Sequence, residues 1–359
     1  MDLSSLHKRM LPCDVDSPYV FISYSSNDKE IVWKDVIELQ NRGYNIWIDE
    51  ANIDRTKSSW EEDALKAIEC SNCVLLAFYV SRSSLVSKAC LNEIAMTCAE
   101  STIETHDGNV NFFVIECEYI NDIGDYYKRL LQEVRSSDLD HDKKDDTLRI
   151  ISRFKNKWIP ADNKKIRIHP QKLENGRLVY YEEIEKELCH PQTNVKFSPQ
   201  RLYRFAINCI IKNKKYDIVA RLLSLGVKYK DLPSALMLAH YERVNNSNEE
   251  LSVQLWSDVD KEVPFDMWME QGENEKENKC FFEAVAWQMA YGEKNNDPDA
   301  LLEASKTWTL LGSKEQTINT LRLAASMGSY KAKMALPQIK RFSEEQFRHF
   351  AERHKNNLI

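Results

Sequence analysis

"CVLLAFYV" occupies residues 73–80, and "SRSSLVSKACLNE" follows it at 81–93. The first stretch is apolar throughout and rich in branched and aromatic side chains, which reads as a buried strand. The second opens on hydroxyls, passes a thiol and reaches one carboxylate, Glu93, in what reads as a loop running into a helix from about Ser87 to Glu100. The fold depends on whether this strand–loop–helix unit repeats, and upstream it does. "YVFISY" (19–24) reads as a first strand, "SSND" supplies N-cap chemistry, and an amphipathic helix spans Lys29 to Arg42 before Gly43. "YNIWID" (44–49) is a second strand, "EANIDRTKSS" a loop, and about Trp60 to Ile68 a helix. Downstream, "NFFVIECEYI" (111–120) is a fourth strand, "KIRIHP" a short fifth and "YYEEIEKEL" a closing helix. Strands alternating with helices through short loops predict a flavodoxin-like α/β domain over 15–190, with a parallel five-stranded sheet.

"CHPQTNVKFSPQ" reads as a linker, and beyond it no stretch has the pattern of a strand. Residues 198–359 carry apolar side chains at helical spacing, with Gly or Pro between the periodic runs. Paired Ala324–Ala325, Gly328 and Ala332 resemble tetratricopeptide or Sel1-like repeats, although no clean period recurs. An all-α, repeat-like domain is expected here, with a plain helical bundle as the alternative.

With 359 residues, two domains are the default, and 43% hydrophobic against 29% charged residues is a globular composition. The longest apolar run is far short of the roughly 20 residues of a membrane span. The first 18 residues hold no apolar core of signal-peptide length. Nine scattered cysteines suit a reducing compartment, so a cytoplasmic protein is expected, with no membrane partner. Cys70 and Cys73 form a lone CxxC where a helix ends and a strand begins, and no second pair completes a zinc site. These cysteines read as core, and no metal is expected. The net charge is −7, and 15 acidic against 4 basic residues between Glu249 and Glu303 would repel phosphate backbones, so no nucleic-acid partner is expected.

In an open parallel sheet, ligands sit beyond the carboxyl ends of the strands, where the winding reverses. The strand order 2-1-3-4-5 would put that reversal between strands one and three. Near it fall Tyr24 and Ser25 after the first strand, Asp49 after the second, and Ser84 and Glu93 after the third. Ser87 can cap the last helix, and Cys90 lies one turn before Glu93. On pattern alone, Glu93 fits a solvated helix acid or a catalytic carboxylate, and Ser84 a helix-approach or a ligand hydroxyl. Cys90 reads as core, because a nucleophilic thiol needs a base and no histidine lies near it in the sequence.

"YVFISYSSND", "GYNIWIDEANID" and "SSWEEDALKAIECSNCVLLAFYVSRSSLVSKACLNEI" together resemble a TIR (Toll/interleukin-1 receptor) domain of the bacterial kind. The resemblance runs firmly from about 17 to 120 and loosely to 190. Many such domains hydrolyse NAD+ between nicotinamide and ribose, with the glutamate after the cysteine as catalytic residue. The resemblance therefore implies Glu93 as catalytic and Tyr24, Ser25, Asp49 and Trp60 as pocket residues, Trp60 stacking a ring of the nucleotide. NAD+ would be a substrate, with no cofactor. The resemblance also implies TIR–TIR self-association through the loop from Glu50 to Ser59, a role in bacterial antiviral defence, and an unidentified partner or ligand for the helical region. Two differences from the family pattern stand out: no glycine precedes Trp60, and Ala89 stands where a tryptophan is common. Linear, cyclised and base-exchanged products all remain open. The alternative is a non-catalytic adaptor or secreted effector working through TIR–TIR contacts, and a weaker third reading is a receptor that binds a nucleotide without cleaving it.

Overall fold

The computed structural model describes residues 2–53, 60–85, 87, 89–90, 92–93, 111–117, 167–168, 177–189 and 194–356, with isolated helical positions between 132 and 148. The chain divides into two compact units, Met1–Phe197 and Ser198–Ile359.

The first unit is built on a parallel sheet of β1 (Tyr19–Ser23), β2 (Ile46–Trp47), β3 (Cys73–Val80), β4 (Asn111–Glu116) and β5 (Arg167–Ile168), in the order β2-β1-β3-β4-β5. The winding reverses between β1 and β3, whose register sets Ser23 against Phe78. Parity along β1 and β3 separates two apolar layers. Val20, Ile22, Leu75, Ala77 and Tyr79 join one cluster with Val32, Trp33, Val36 and Ile37 of α2 (Lys29–Asn41) and Tyr180, Tyr181 and Ile184 of α6 (Arg177–Leu188). Tyr19, Phe21, Leu76, Phe78 and Val80 join the other, with Trp47, Cys90, and Ala64 and Ile68 of α4 (Trp60–Glu69). Both faces of β1 are therefore covered, which is why its sequence is apolar without alternation. A short α1 (Leu3–Arg9), which the sequence pattern does not single out, adds Leu6 to the first layer. Buried Asp35 of α2 accepts from the hydroxyls of Tyr180 and Tyr181 at 2.7 and 2.9 Å, pinning α6 to the sheet's helix layer.

Several boundaries differ from the sequence reading. The second strand contracts from 44–49 to Ile46–Trp47, and Asp49 instead starts α3 (Asp49–Asn52). Two acidic residues in that first turn favour a helix N-terminus over a strand end. Tyr44 bridges Lys196 in antiparallel fashion, with Asn45 N donating to Val195 O at 2.9 Å and Phe197 N to Gly43 O at 2.8 Å. The segment read as a linker therefore closes the flank of the sheet next to β2. Gly43 does end α2, at φ +89°, where a side chain would be strained. The fourth strand ends at Glu116, and the rest of its expected span, 118–120, lies outside the described residues. Tyr126 and Tyr127 lie outside them as well.

The second unit is helical: α7 (Pro199–Ile211), α8 (Tyr216–Lys228), α9 (Leu232–Asn246), α10 (Glu249–Glu262), α11 (Trp268–Glu277), α12 (Phe281–Lys294), α13 (Pro298–Leu310), α14 (Lys314–Ser326), α15 (Tyr330–Arg341) and α16 (Glu344–Asn356). Ser198, Asp231, Asn248, Asp297 and Ser329 each accept a backbone N–H at a helix start. Glycines allow close crossings: a Cβ on Gly226 would lie 2.1 Å from Ser234 Oγ, and one on Gly292 2.7 Å from Leu301 Cγ. Trp256 and Trp268 are core residues. No described helix is long and apolar enough to cross a membrane.

Candidate functional site

The carboxyl ends of β2, β1 and β3 lie side by side, and residues that follow them meet through hydrogen bonds and charge. Ser23 ends β1 with no solvent exposure, and its hydroxyl donates to Glu93 Oε2 at 2.6 Å. Glu93 itself lies on a helical segment with Ala89, Cys90 and Asn92 and is half-buried. Burial pushes its carboxyl up to about 8, and the negative charge of Asp49 pushes the same way, while the Ser23 hydrogen bond pulls it down. Two carboxyl groups therefore feel each other across the ends of β2 and β3.

Tyr24 is held rigidly. Its hydroxyl donates to Asp49 Oδ1 at 2.9 Å and accepts from Trp33 Nε1 at 3.1 Å. Burial and the two acids Asp49 and Glu50 raise its pKa, so the phenol stays neutral. Lys29 lies 3.4 Å from Glu50 and 5.2 Å from the centre of the Trp33 ring, closing this side. Ser25 caps the turn Ser26–Asp28, accepting from Asn27 N at 3.3 Å, and is itself buried.

Most of the hydroxyls after β3 shape the loop, which includes the single turn α5 (Arg82–Leu85). Ser84 Oγ accepts from Ser81 N at 2.8 Å and donates to Ser81 O at 3.1 Å, with no exposure to solvent. Ser81 Oγ donates to Asp28 Oδ2 at 2.6 Å, and Asn27 Nδ2 to Ser83 Oγ at 3.1 Å, tying the turn after β1 to the loop after β3. Cys90 N donates to Ser87 Oγ at 3.4 Å, the N-cap contact its spacing suggests. The Cys90 thiol is 1% exposed and is pushed up to about 12 by burial and by Glu93, so it is a packing residue.

Of the residues singled out in the sequence, Tyr24, Asp49 and Glu93 are linked by direct contact or by charge. Ser25 and Ser84 lie beside them with hydroxyls engaged by backbone. Trp60 begins α4, but its side chain lies outside the described residues. Sequence reasoning missed Ser23 and Trp33, which hold Glu93 and Tyr24. Ser23 had one available signal, a hydroxyl ending an otherwise apolar strand; Trp33 had none.

Residues 20–151 match the family model for the TIR domain. No curated protein and no solved structure matches the chain. The first unit thus carries a TIR domain, while the helical second unit falls outside the matched residues.

Proposed function

We propose that the TIR domain cleaves the bond between nicotinamide and ribose in NAD+, with Glu93 as the catalytic carboxylate. The observation that carries this reading is Glu93 itself: half-buried, oriented by Ser23, and set near a second acid where the sheet reverses its winding. A carboxyl raised by burial ionises more readily when a cation sits beside it. NAD+ brings a pyridinium cation joined to the ribose, and a cation beside Glu93 draws off its proton.

As the C–N bond breaks, its electron pair moves onto the pyridinium nitrogen, nicotinamide leaves neutral, and positive charge develops on the ribose. A preorganised anion beside that sugar stabilises the oxocarbenium-like transition state more than the ground state. The leaving group needs no proton, so one ionised carboxylate suffices where ordinary glycosidases use two. Water then adds to the sugar carbon and gives its proton to solvent, or a hydroxyl or base within the complex takes the place of water. Tyr24, fixed between Trp33 and Asp49, forms one wall of the site. Self-association belongs to the same reading, with the loop after Glu50 reaching a neighbouring copy. So do a cytoplasmic setting and service in antiviral defence.

The test is incubation of the concentrated protein with NAD+, with chromatographic detection of nicotinamide. The wild type should release it, and Glu93→Gln should lose at least about a hundredfold in rate, the scale of removing one electrostatic stabiliser. Equal release by both would move the active residue elsewhere. No release by concentrated wild type would favour the adaptor.

A further inference from the structure

A cavity of about 720 Å³ opens within the helical unit, among α9, α12, α14 and the turn joining α7 to α8. That volume falls in the range of about 300–1,000 Å³ typical of small-molecule sites. Its back wall is His240, whose Nδ1 lies 2.5 Å from Glu293 Oε1. Glu293 is fully buried, and its carboxyl is held below the usual range, against burial, by the charges of His240 and Arg243. Arg243 Nη2 stands 3.9 Å from the other carboxylate oxygen. A buried acid of this kind costs several kcal/mol in desolvation, which apolar packing would avoid. Here it orients an imidazole whose Nε2 makes no hydrogen bond among the described residues.

The remaining lining has three kinds of chemistry. Lys214 and Arg322 add positive charge from the turn before α8 and from α14. Against them stands Glu315, also in the lining; Glu242, nearby, is taken up by Tyr216 at 2.6 Å and Asn246 at 2.9 Å. Tyr216 and Tyr241 lie parallel, with centroids 6.1 Å apart and planes 10° apart, and bring two aromatic rings to the lining. Amides such as Asn245 and Gln316 both donate and accept along the sides.

We propose that this cavity binds a small organic anion with a planar ring, of the nucleoside-monophosphate class: the ring against Tyr216 and Tyr241, its heteroatoms on the amides, and the anionic group toward His240, Lys214 and Arg322. Aromatic walls supply stacking to any flat ring, and the cations supply the charge. This site is separate from the candidate site around Glu93 and does not depend on the activity proposed there.

Calorimetric titration of the full chain with AMP, adenosine and inorganic phosphate tests it. AMP should bind at one site per chain, with adenosine and phosphate each at least tenfold weaker. Lys214→Glu combined with Arg322→Glu, both at exposed positions, should weaken AMP at least tenfold. Asn245→Asp, at an exposed position whose amide donates to Tyr241 O at 3.0 Å, should weaken it as well, independent of how the pair folds. Glu93→Gln should leave AMP affinity unchanged. No heat from millimolar AMP, affinity indifferent to these lining changes, or binding lost with Glu93→Gln would each overturn the proposal.

Discussion

Across 2.6 Å, the Ser23 hydroxyl donates to Oε2 of Glu93, joining the last residue of β1 to the helical segment after β3. The bond favours the ionised carboxyl, whereas burial and then Asp49 oppose it, and burial wins. Glu93 is thereby oriented by Ser23 and holds its proton more tightly than a solvated carboxyl.

The pH dependence of kcat/KM reports the free enzyme. Nicotinamide release should therefore rise with pH on a single-proton limb near about 8, the value to which burial raises the carboxyl. The limb for kcat should lie lower, because bound NAD+ favours the anion. A kcat/KM profile flat from pH 6 to 9 in the wild type would remove Glu93 from the chemistry.

In the proposed reaction Ser23 acts through Glu93, as a positioning residue. A hydrogen bond to a charged group contributes roughly 1.5–3 kcal/mol, so Ser23→Ala should lower kcat/KM at pH 7 by about tenfold to a hundredfold. It should also move the kcat/KM limb to higher pH, and Ser23→Thr should restore part of both. A purely structural role would lower the rate and leave the limb in place.

Stability carries the same signature with a definite sign. The Glu93 carboxyl binds its proton more tightly folded than unfolded, so the folded state is favoured most below the unfolded value near 4.5 and loses that advantage as pH rises through about 8. Glu93→Gln should leave the urea midpoint of the first unit nearly unchanged at pH 4.5. At pH 8.5 it should raise stability by roughly 1–3 kcal/mol, a figure reduced for the water that Glu93 still meets.

In the helical unit, Gly226→Ala would set a methyl 2.1 Å from Ser234 Oγ and 2.6 Å from Ser234 Cβ. Forcing α8 and α9 apart should cost roughly 1–3 kcal/mol in thermal or denaturant unfolding. Ser234→Gly should recover part of the loss in the double variant. Additive losses would mean that the two residues do not meet.

Local pattern was enough for what local forces decide. Cys73–Val80 is apolar because both faces are covered, and Gly43 ends a helix because the chain turns left-handed there, so both were legible. That Tyr24, Asp49 and Glu93 come together in the candidate site was legible through strand ends and family resemblance. The contacts of Ser23 with Glu93 and of Ser81 with Asp28 span 70 and 53 positions, which no periodicity encodes. Trp33 looked like one more apolar residue on α2, and only the fold turns its indole N–H toward Tyr24. Asp49 was placed at a strand end because "YNIWID" is rich in strand formers, whereas only Ile46 and Trp47 pair with β1.

The antiparallel bridge from Tyr44 to Lys196 has a practical corollary for anyone dividing this chain. An excised N-terminal half ending near residue 190 would lack Val195–Phe197 and bare the main-chain groups of Gly43 and Asn45 that now meet them. Raw sheet flanks recruit other chains, so such a fragment would tend to clump for a reason unrelated to any native assembly. Keeping Phe197 in the fragment would preserve the seal.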